Sequence, residues 1–426
     1  MRIGMFTDTY IPQINGVATS VSLLKKTLED LGHEVFVFTT TDPDAKELQE
    51  EHVYRVPSAP IFTERRLGVF YHPGLVREIR RLKLDLIHTH TEFSLGIFGR
   101  NLAGDLELPL VHTYHTIYED YTHFVAKGQQ MNRVARGAAR ALTRSFCNVA
   151  DAVVVPTNKV KDLLMDYGVV SDLNVVPTGI DLTRFQTEDN GKAWRQATRA
   201  ELGLDEDCFV LVNIGRVSAE KNIQEIILIL ASWLPHRPEV RFAVVGDGAY
   251  RKQLEELVRV HHIEDRVIFA GSRPFEQIAA YYYLGDVFVS ASQSETQGLT
   301  YVEALAAGLP VIARKDRCLE GVVQEGVNGL VYRNEQEAMA YLDKLYKDPE
   351  LVRTMGAEAR KSTEKFSSVH FGNSILEVYK MAMNASEGIQ QSLTQRLSRE
   401  LAEQVSKDQQ TRLAEEKDTR STEPGR

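Results

Sequence analysis

Short apolar runs alternate with amphipathic helical stretches along most of this chain, and near residue 209 the alternation begins again. Ile3 to Phe6 reads as a strand, Val17 to Leu31 as a helix stopped by Gly32, and Val35 to Thr39 as the next strand, together a βαβ unit. Leu84 to His88, Leu110 to Thr113, Ala152 to Val155 and Asn174 to Val176 continue the series across gaps long enough for crossovers. That pattern predicts a parallel sheet covered by helices on both faces. Phe209 to Ile214, Arg241 to Val245, Val267 to Ala270, Val287 to Ser290 and Val311 to Ala313 form a second series. A length of 426 residues exceeds what one hydrophobic core serves, so two α/β, Rossmann-like domains are expected. The polar stretch from Asp181 to about Asp207, after the turn cluster Pro177-Thr178-Gly179, divides them. The predicted organisation is a first domain over 1–181, a second over 182–365, a helix over 366–385 packing back on the first, and a polar helical or disordered tail over 386–426. In the tail Ile389, Leu393, Leu397, Leu401 and Val405 recur every four residues, a stripe suited to packing rather than chemistry. Open α/β sheets bind ligands beyond the carboxyl ends of their strands, so two such domains facing each other enclose a cleft.

Charge and composition narrow the function. A formal charge of −9 argues against general nucleic-acid binding, and Cys147, Cys208 and Cys318 are too few and too scattered for a disulfide framework or a zinc cluster. The amino terminus turns polar too soon for a signal peptide, and the longest apolar stretch, Ile226 to Leu234, is too short to span a bilayer. A cytoplasmic protein whose membrane contact is peripheral is the expectation.

The chemistry concentrates at strand ends of the second series. Glu295 and Glu303 bracket Gly298 between an apolar run and a helix over Tyr301 to Ala307, so the backbone N–H groups of Gly298 to Thr300 sit where a helix start attracts an anion. Two carboxylates there suit sugar hydroxyls. Arg216, after Gly215, and Lys221 lie where two cations can converge on a diphosphate; a surface ion pair is the plainer alternative. Gly246 and Gly248 mark a further turn after a strand, and Gly16 opens the first helix, where backbone could approach a phosphate. The G-x-G-x-x-G spacing of a dinucleotide site is missing. His115 ends a strand of the first series and suits either a sugar contact or a structural role, and Asp8 either faces the cleft or caps a turn. His88, His90 and His112 lack an acidic or Cys partner at metal-ligand spacing, so no metal site is predicted.

Basic charge is uneven: from Arg55 to Lys161 there are 15 Lys or Arg against 9 Asp or Glu. Arg133, Arg136, Arg140 and Arg144 fall within about 80° on a helical wheel, with Val134, Ala138, Leu142 and Phe146 as an apolar back. Arg77, Arg80 and Arg81, and Arg65 with Arg66 before Leu67, add cations beside apolar residues. Such mixtures bind anionic lipid surfaces; a solvated helix face is the alternative.

From Met1 to about Lys380 the chain resembles the family 4 glycosyltransferases of the GT-B fold, most specifically in Ser294 to Val311, which carries Glu-x7-Glu and then Glu-Ala-Leu-Ala-Ala-Gly-Leu-Pro-Val. Ser294 to Tyr301, Asp316 to Val322 and His112 to Tyr121 are similar to the branch of bacterial enzymes that glucosylate diacylglycerol. The resemblance implies two Rossmann-like domains across a cleft and retaining transfer of glucose from UDP-glucose to the 3-hydroxyl of 1,2-diacylglycerol at the inner membrane face. It implies front-side attack without a carboxylate nucleophile and no required cofactor, and it leaves open glucose or galactose as the donor sugar, an already glucosylated lipid or a soluble sugar as the acceptor, a nucleotide-sugar-binding protein without turnover, and the oligomeric state. Arg216 and Lys221 would hold the diphosphate, Glu303 the ribose, and Glu295 and His115 the sugar. Gly16, Gly215, Gly246, Gly248, Thr296, Gln297, Gly298, Leu299 and Thr300 would complete the donor cradle. Asn15-Gly16 stands where the family often has Gly-Gly, and Gln297 where Phe is common.

Overall fold

The computed structural model describes residues 1–388 apart from 14, 46–49, 63–64, 69–72, 122–128, 188 and 190, so the tail stripe from Ile389 onward lies outside the described residues. In the first lobe, strands β1 (Arg2–Phe6), β2 (Glu34–Thr40), β3 (Val53–Val56), β6 (Leu86–Thr89), β7 (Leu110–Thr113), β8 (Ala152–Val155) and β9 (Leu173–Val175) pair in the order β3-β2-β1-β6-β7-β8-β9. Every pairing is parallel. A hairpin, β4 (Ser58–Phe62) and β5 (Arg65–Gly68), stands apart from that sheet.

Alternation along the strands splits the core into two layers. Ile3 and Met5 point to one face, where Val21, Leu24 and Leu28 of α1 (Gly16–Asp30) cover them; Phe6 points to the other, beneath Leu95, Phe98 and Leu102 of α3 (Ser94–Leu106). Helix α2 (Pro73–Leu82) adds Leu75 and Ile79 to that second layer. The last described helix, over 368–388, returns to the first layer and inserts Phe371, Ile375 and Tyr379 beside Ile3 and Leu28. Each such side chain contributes roughly 1.5–3 kcal/mol by burial.

The second lobe repeats the plan with β10 (Phe209–Ile214), β11 (Val240–Val245), β12 (Val267–Gly271), β13 (Val287–Ser290), β14 (Val311–Arg314) and β15 (Gly329–Tyr332), in the order β12-β11-β10-β13-β14-β15, again all parallel. The stretch read from composition as a polar connection holds a helix, Lys192–Glu201, that is anchored to this sheet. Arg195 Nη2 and Arg199 Nη2 donate to Asp286 at 2.7 and 2.9 Å, and Asp286 also accepts from Val210 N at 2.7 Å. The charges that suggested a linker are the anchor, and Arg199 is 1% exposed. Strands β3 and β15 and the hairpin were not expected either.

Candidate functional site

Neighbouring strands β11, β10 and β13 deliver their carboxyl ends side by side, bringing together the turns at Gly246, Gly215 and Glu295. Gly246 has φ +139°, and a Cβ there would lie 1.8 Å from the Gly215 carbonyl oxygen, so the two turns touch backbone to backbone. Lys221, in a short 3₁₀ turn after β10, donates from Nζ to Glu295 Oε1 at 2.6 Å, and Ser292 Oγ donates to the same oxygen at 2.9 Å. Burial alone would raise the Glu295 carboxyl; the Lys221 charge and these hydrogen bonds reverse it and hold it below the usual range. Arg216 Nη2 lies 3.4 Å from Glu220 Oε1, which also accepts from Ser218 Oγ at 2.7 Å. Gly248 closes the neighbouring turn, its N–H bonded to Asp247 Oδ1 at 2.7 Å.

Gly298, with φ +74°, caps the helix Leu299–Ala307 in a left-handed conformation that a side chain would strain, and leaves Leu299 and Thr300 in the first turn. One turn on, Glu303 accepts from Tyr282 OH at 2.6 Å, and its carboxyl is raised by burial. The Gln297 side chain turns to the first lobe. Its Oε1 accepts from Thr178 N at 2.7 Å and its Nε2 donates to Thr178 O at 2.8 Å, so the amide ties this turn to the end of the first lobe.

Other contacts join the lobes through the helix Asn158–Asp166 of the first lobe. Thr157 Oγ1, its N-cap, donates to Thr296 O at 2.8 Å. Lys159 Nζ donates to Gln293 O at 3.0 Å, Glu295 O at 3.1 Å and both Asp316 carboxylate oxygens at 2.8 Å. Arg317 Nη2 reaches Asp162 Oδ2 at 2.6 Å. The strand-end loops of the two sheets therefore meet. Lys159 lies 136 residues from Glu295 and was missed; Thr157 to Lys159 follow a strand end, as Gly215 and Arg216 do, which was the available signal.

In the first lobe, His115 Nε2 pairs with His90 Nδ1 at 3.1 Å, and the His90 and His88 rings lie 4.0 Å apart. His88 Nδ1 meets Tyr379 OH at 2.8 Å. Burial, reinforced by His112, lowers the His115 imidazole to about 3, so it is neutral at physiological pH. His112 pairs in register with Thr89, which puts it on the sheet face opposite His88 and His90, and its Nε2 points to Glu92 Oε1 at 3.3 Å. Register thus separates His112 from His88 and His90, and among the described residues no group of three or more His, Cys, Asp or Glu is placed to hold a metal. Asp8 caps: its carboxylate accepts from Leu95 N at 3.0 Å and Thr91 Oγ1 at 2.6 Å, serving the start of α3. Asn15 Oδ1 accepts from Val17 N and Ala18 N at 3.1 and 2.9 Å, using those first-turn groups, while space beside Gly16 is open.

On the outer surface the helix α4 (Gln129–Cys147) exposes Arg133, Arg136, Arg140 and Arg144, and α2 exposes Arg77, Arg80 and Arg81. Glu119 accepts from Arg140, and from Arg136 Nη2 at 3.4 Å. The apolar back is corrected. Of its members only Phe146 is buried, while Val134 is 73% and Leu142 44% exposed; Ala135, Ala139 and Thr143 are more enclosed. Basic and apolar stripes therefore flank one exposed face. Arg66 donates to Ser58 Oγ and O at 2.8 and 3.0 Å within its hairpin, and the Arg65 side chain lies outside the described residues.

The Glycosyltransferase Family 4 model matches residues 14–184, and Glycosyl transferases group 1 matches 195–362. The chain is 40% identical over 382 residues to the alpha-monoglucosyldiacylglycerol synthase of Streptococcus pneumoniae (strain ATCC BAA-255 / R6), covering 89% of this chain and 85% of that one. It is 35% identical to the alpha-monoglucosyldiacylglycerol synthase of Acholeplasma laidlawii, covering 89% and 96%. Anabaena Alr3699/HepE, solved with UDP and glucose, shares the fold with a TM-score of 0.72 at 23% identity, covering 89% and 99%. Two parallel-sheet lobes, a family match across both and relatives of this identity make the chain a member of glycosyltransferase family 4, a GT-B glycosyltransferase.

Proposed function

We propose that this enzyme transfers glucose, with retention, from UDP-glucose to the 3-hydroxyl of 1,2-diacylglycerol at a membrane surface. One observation carries the reading: the likeness to two synthases of that glycolipid spans 89% of the chain and so includes both lobes. The geometry fits it. Arg216 stands near the start and Lys221 near the end of the loop after β10, where positive charge would neutralise a departing diphosphate, an effect larger in the transition state than in binding. As the glucosyl bond to the β-phosphate breaks, the acceptor oxygen attacks from the same face and its proton passes to the leaving diphosphate. Glu295, held ionised by Lys221, accepts from sugar hydroxyls; Glu303 accepts from the ribose; neutral His115 offers a hydrogen bond without adding charge. Neither the sequence nor this chemistry calls for a metal ion, since the two cations supply the neutralisation.

The acceptor side would rest on the exposed face of α4 and α2, whose arginines meet anionic headgroups while Met131, Val134 and Leu142 enter the lipid. No helix among the described residues is long and apolar enough to cross a membrane. The test is a donor-by-acceptor matrix: radiolabelled UDP-glucose and UDP-galactose, each offered diacylglycerol or monoglucosyl lipid in mixed micelles. Label from UDP-glucose in an α-linked monoglucosyl lipid is expected. Label only in a diglycosyl lipid would replace the acceptor, and no transfer or donor hydrolysis would leave a nucleotide-sugar-binding protein instead.

A further inference from the structure

We propose that Lys159 is a positioning residue for the donor sugar: from the first lobe its ammonium holds the turn of the second lobe that presents Glu295. This rests on the donor-site reading above. An ammonium has three N–H donors, and here they face Gln293 O, Glu295 O and the two oxygens of Asp316, all within 3.1 Å. Thr157, two residues earlier, takes Thr296 O at 2.8 Å. Carbonyls at three of four successive positions, 293, 295 and 296, are thus bonded from one helix start of the opposite lobe, in a segment with no helix or strand of its own. Asp316 is fixed in turn by Cys318 N at 2.7 Å, which anchors the far end of the clamp in the second lobe.

The consequence is a division of labour. Arg216, Lys221 and Glu303, which would hold the diphosphate and ribose, all belong to the second lobe, and Lys221 and Ser292 hold the Glu295 carboxylate from there, whereas the backbone that carries Glu295 is also held from the first lobe. Nucleotide binding is then independent of Lys159, and recognition of the glucosyl group is not. A carboxylate displaced by about 1 Å loses on the order of a hundredfold in rate, so the clamp links lobe engagement to sugar recognition.

The experiment is calorimetric binding of UDP and of UDP-glucose to the full chain and to Lys159→Met, Lys159→Arg, the double variant Lys159→Met/Asp316→Asn, and Arg317→Ala, with kcat and KM for the donor. Lys159→Met is expected to weaken UDP-glucose binding about tenfold or more, the scale of a charged hydrogen bond, with UDP affinity unchanged. Lys159→Arg should recover part of the loss. The double variant removes the carboxylate that Lys159→Met leaves unpaired, so its equal, selective loss supports the proposal even if the single variant is unstable. Arg317→Ala breaks the more exposed interlobe pair with Asp162 and should leave both affinities intact. A parallel fall in UDP affinity, or the same loss in Arg317→Ala, overturns the proposal in favour of general tethering. A wild-type protein that binds UDP and not UDP-glucose overturns the donor assignment itself, before any variant is made.

Discussion

Burial raises both Glu295 and Glu303 toward the protonated form, and only Glu295 has Lys221 at 2.6 Å to reverse it. Opposite outcomes follow on substitution. Lys221→Ala should reduce kcat by roughly 10²–10³, the cost of removing a group aimed at developing charge, measurable with purified protein and saturating donor; near-normal turnover would remove Lys221 from the chemistry. Glu303 has a raised folded pKa, so its stabilising contribution is present below the unfolded value and is lost as pH rises through the folded one. Glu303→Gln should therefore melt higher than wild type at alkaline pH, with the gain shrinking as pH falls toward the usual carboxylate range, while donor affinity falls; a lower Tm at high pH would contradict this. His115 behaves in the reverse sense. Its folded pKa is depressed to about 3, as those of His88 and His90 are depressed by burial, so their stabilisation is intact above about pH 6.5 and drains as pH falls below it. Melts at pH 5 should show the loss, and the pH dependence of kcat/KM should carry no limb near 6.5 from His115.

Helix α4 shows what a helical wheel can and cannot say. The arginine ridge is legible because 3.6-residue periodicity is a property of the helix alone, and Arg133, Arg136, Arg140 and Arg144 are all exposed. Which face meets the protein is not, because Ala135 and Ala139, too small to register as an apolar face, turn inward and leave Val134 and Leu142 outside. The helix Lys192–Glu201 misleads similarly: Arg195 and Arg199 read as linker charge until Asp286, far along the chain, is placed between them. The partners of Gln297 and Lys159 are beyond local pattern, since Thr178 and Asp316 lie in other elements; for Lys159 only its place after a strand end was legible. For the membrane face the expected outcome is additive: Arg133→Glu and Arg144→Glu should each weaken binding to anionic vesicles by about 1 kcal/mol or more, roughly fivefold, with neutral vesicles unaffected. Cosedimentation measures it, and unchanged binding would assign α4 to solvent.

At the scale of the molecule, the strand series on either side of residue 209 was readable because each buried parallel strand is a short apolar run bounded by turn residues. The edge strands β3 and β15 were less so, because Arg55 interrupts the one and Gly329 opens the other. The helix over 368–388 is the chain's return to its starting lobe: Ile375 and Tyr379 are fully buried against strands made from the first residues. Ile375→Ala should cost about 2–5 kcal/mol and, in thermal melts, lower the transition of the first lobe rather than the second. That arrangement also sets an order for biosynthesis. While the ribosome is still making the second lobe, Ile3, Leu24 and Leu28 lack part of their covering, so the nascent chain presents an adhesive flank throughout that span. Chaperone occupancy of ribosome-bound chains should accordingly persist past residue 362 and fall once the closing helix has emerged.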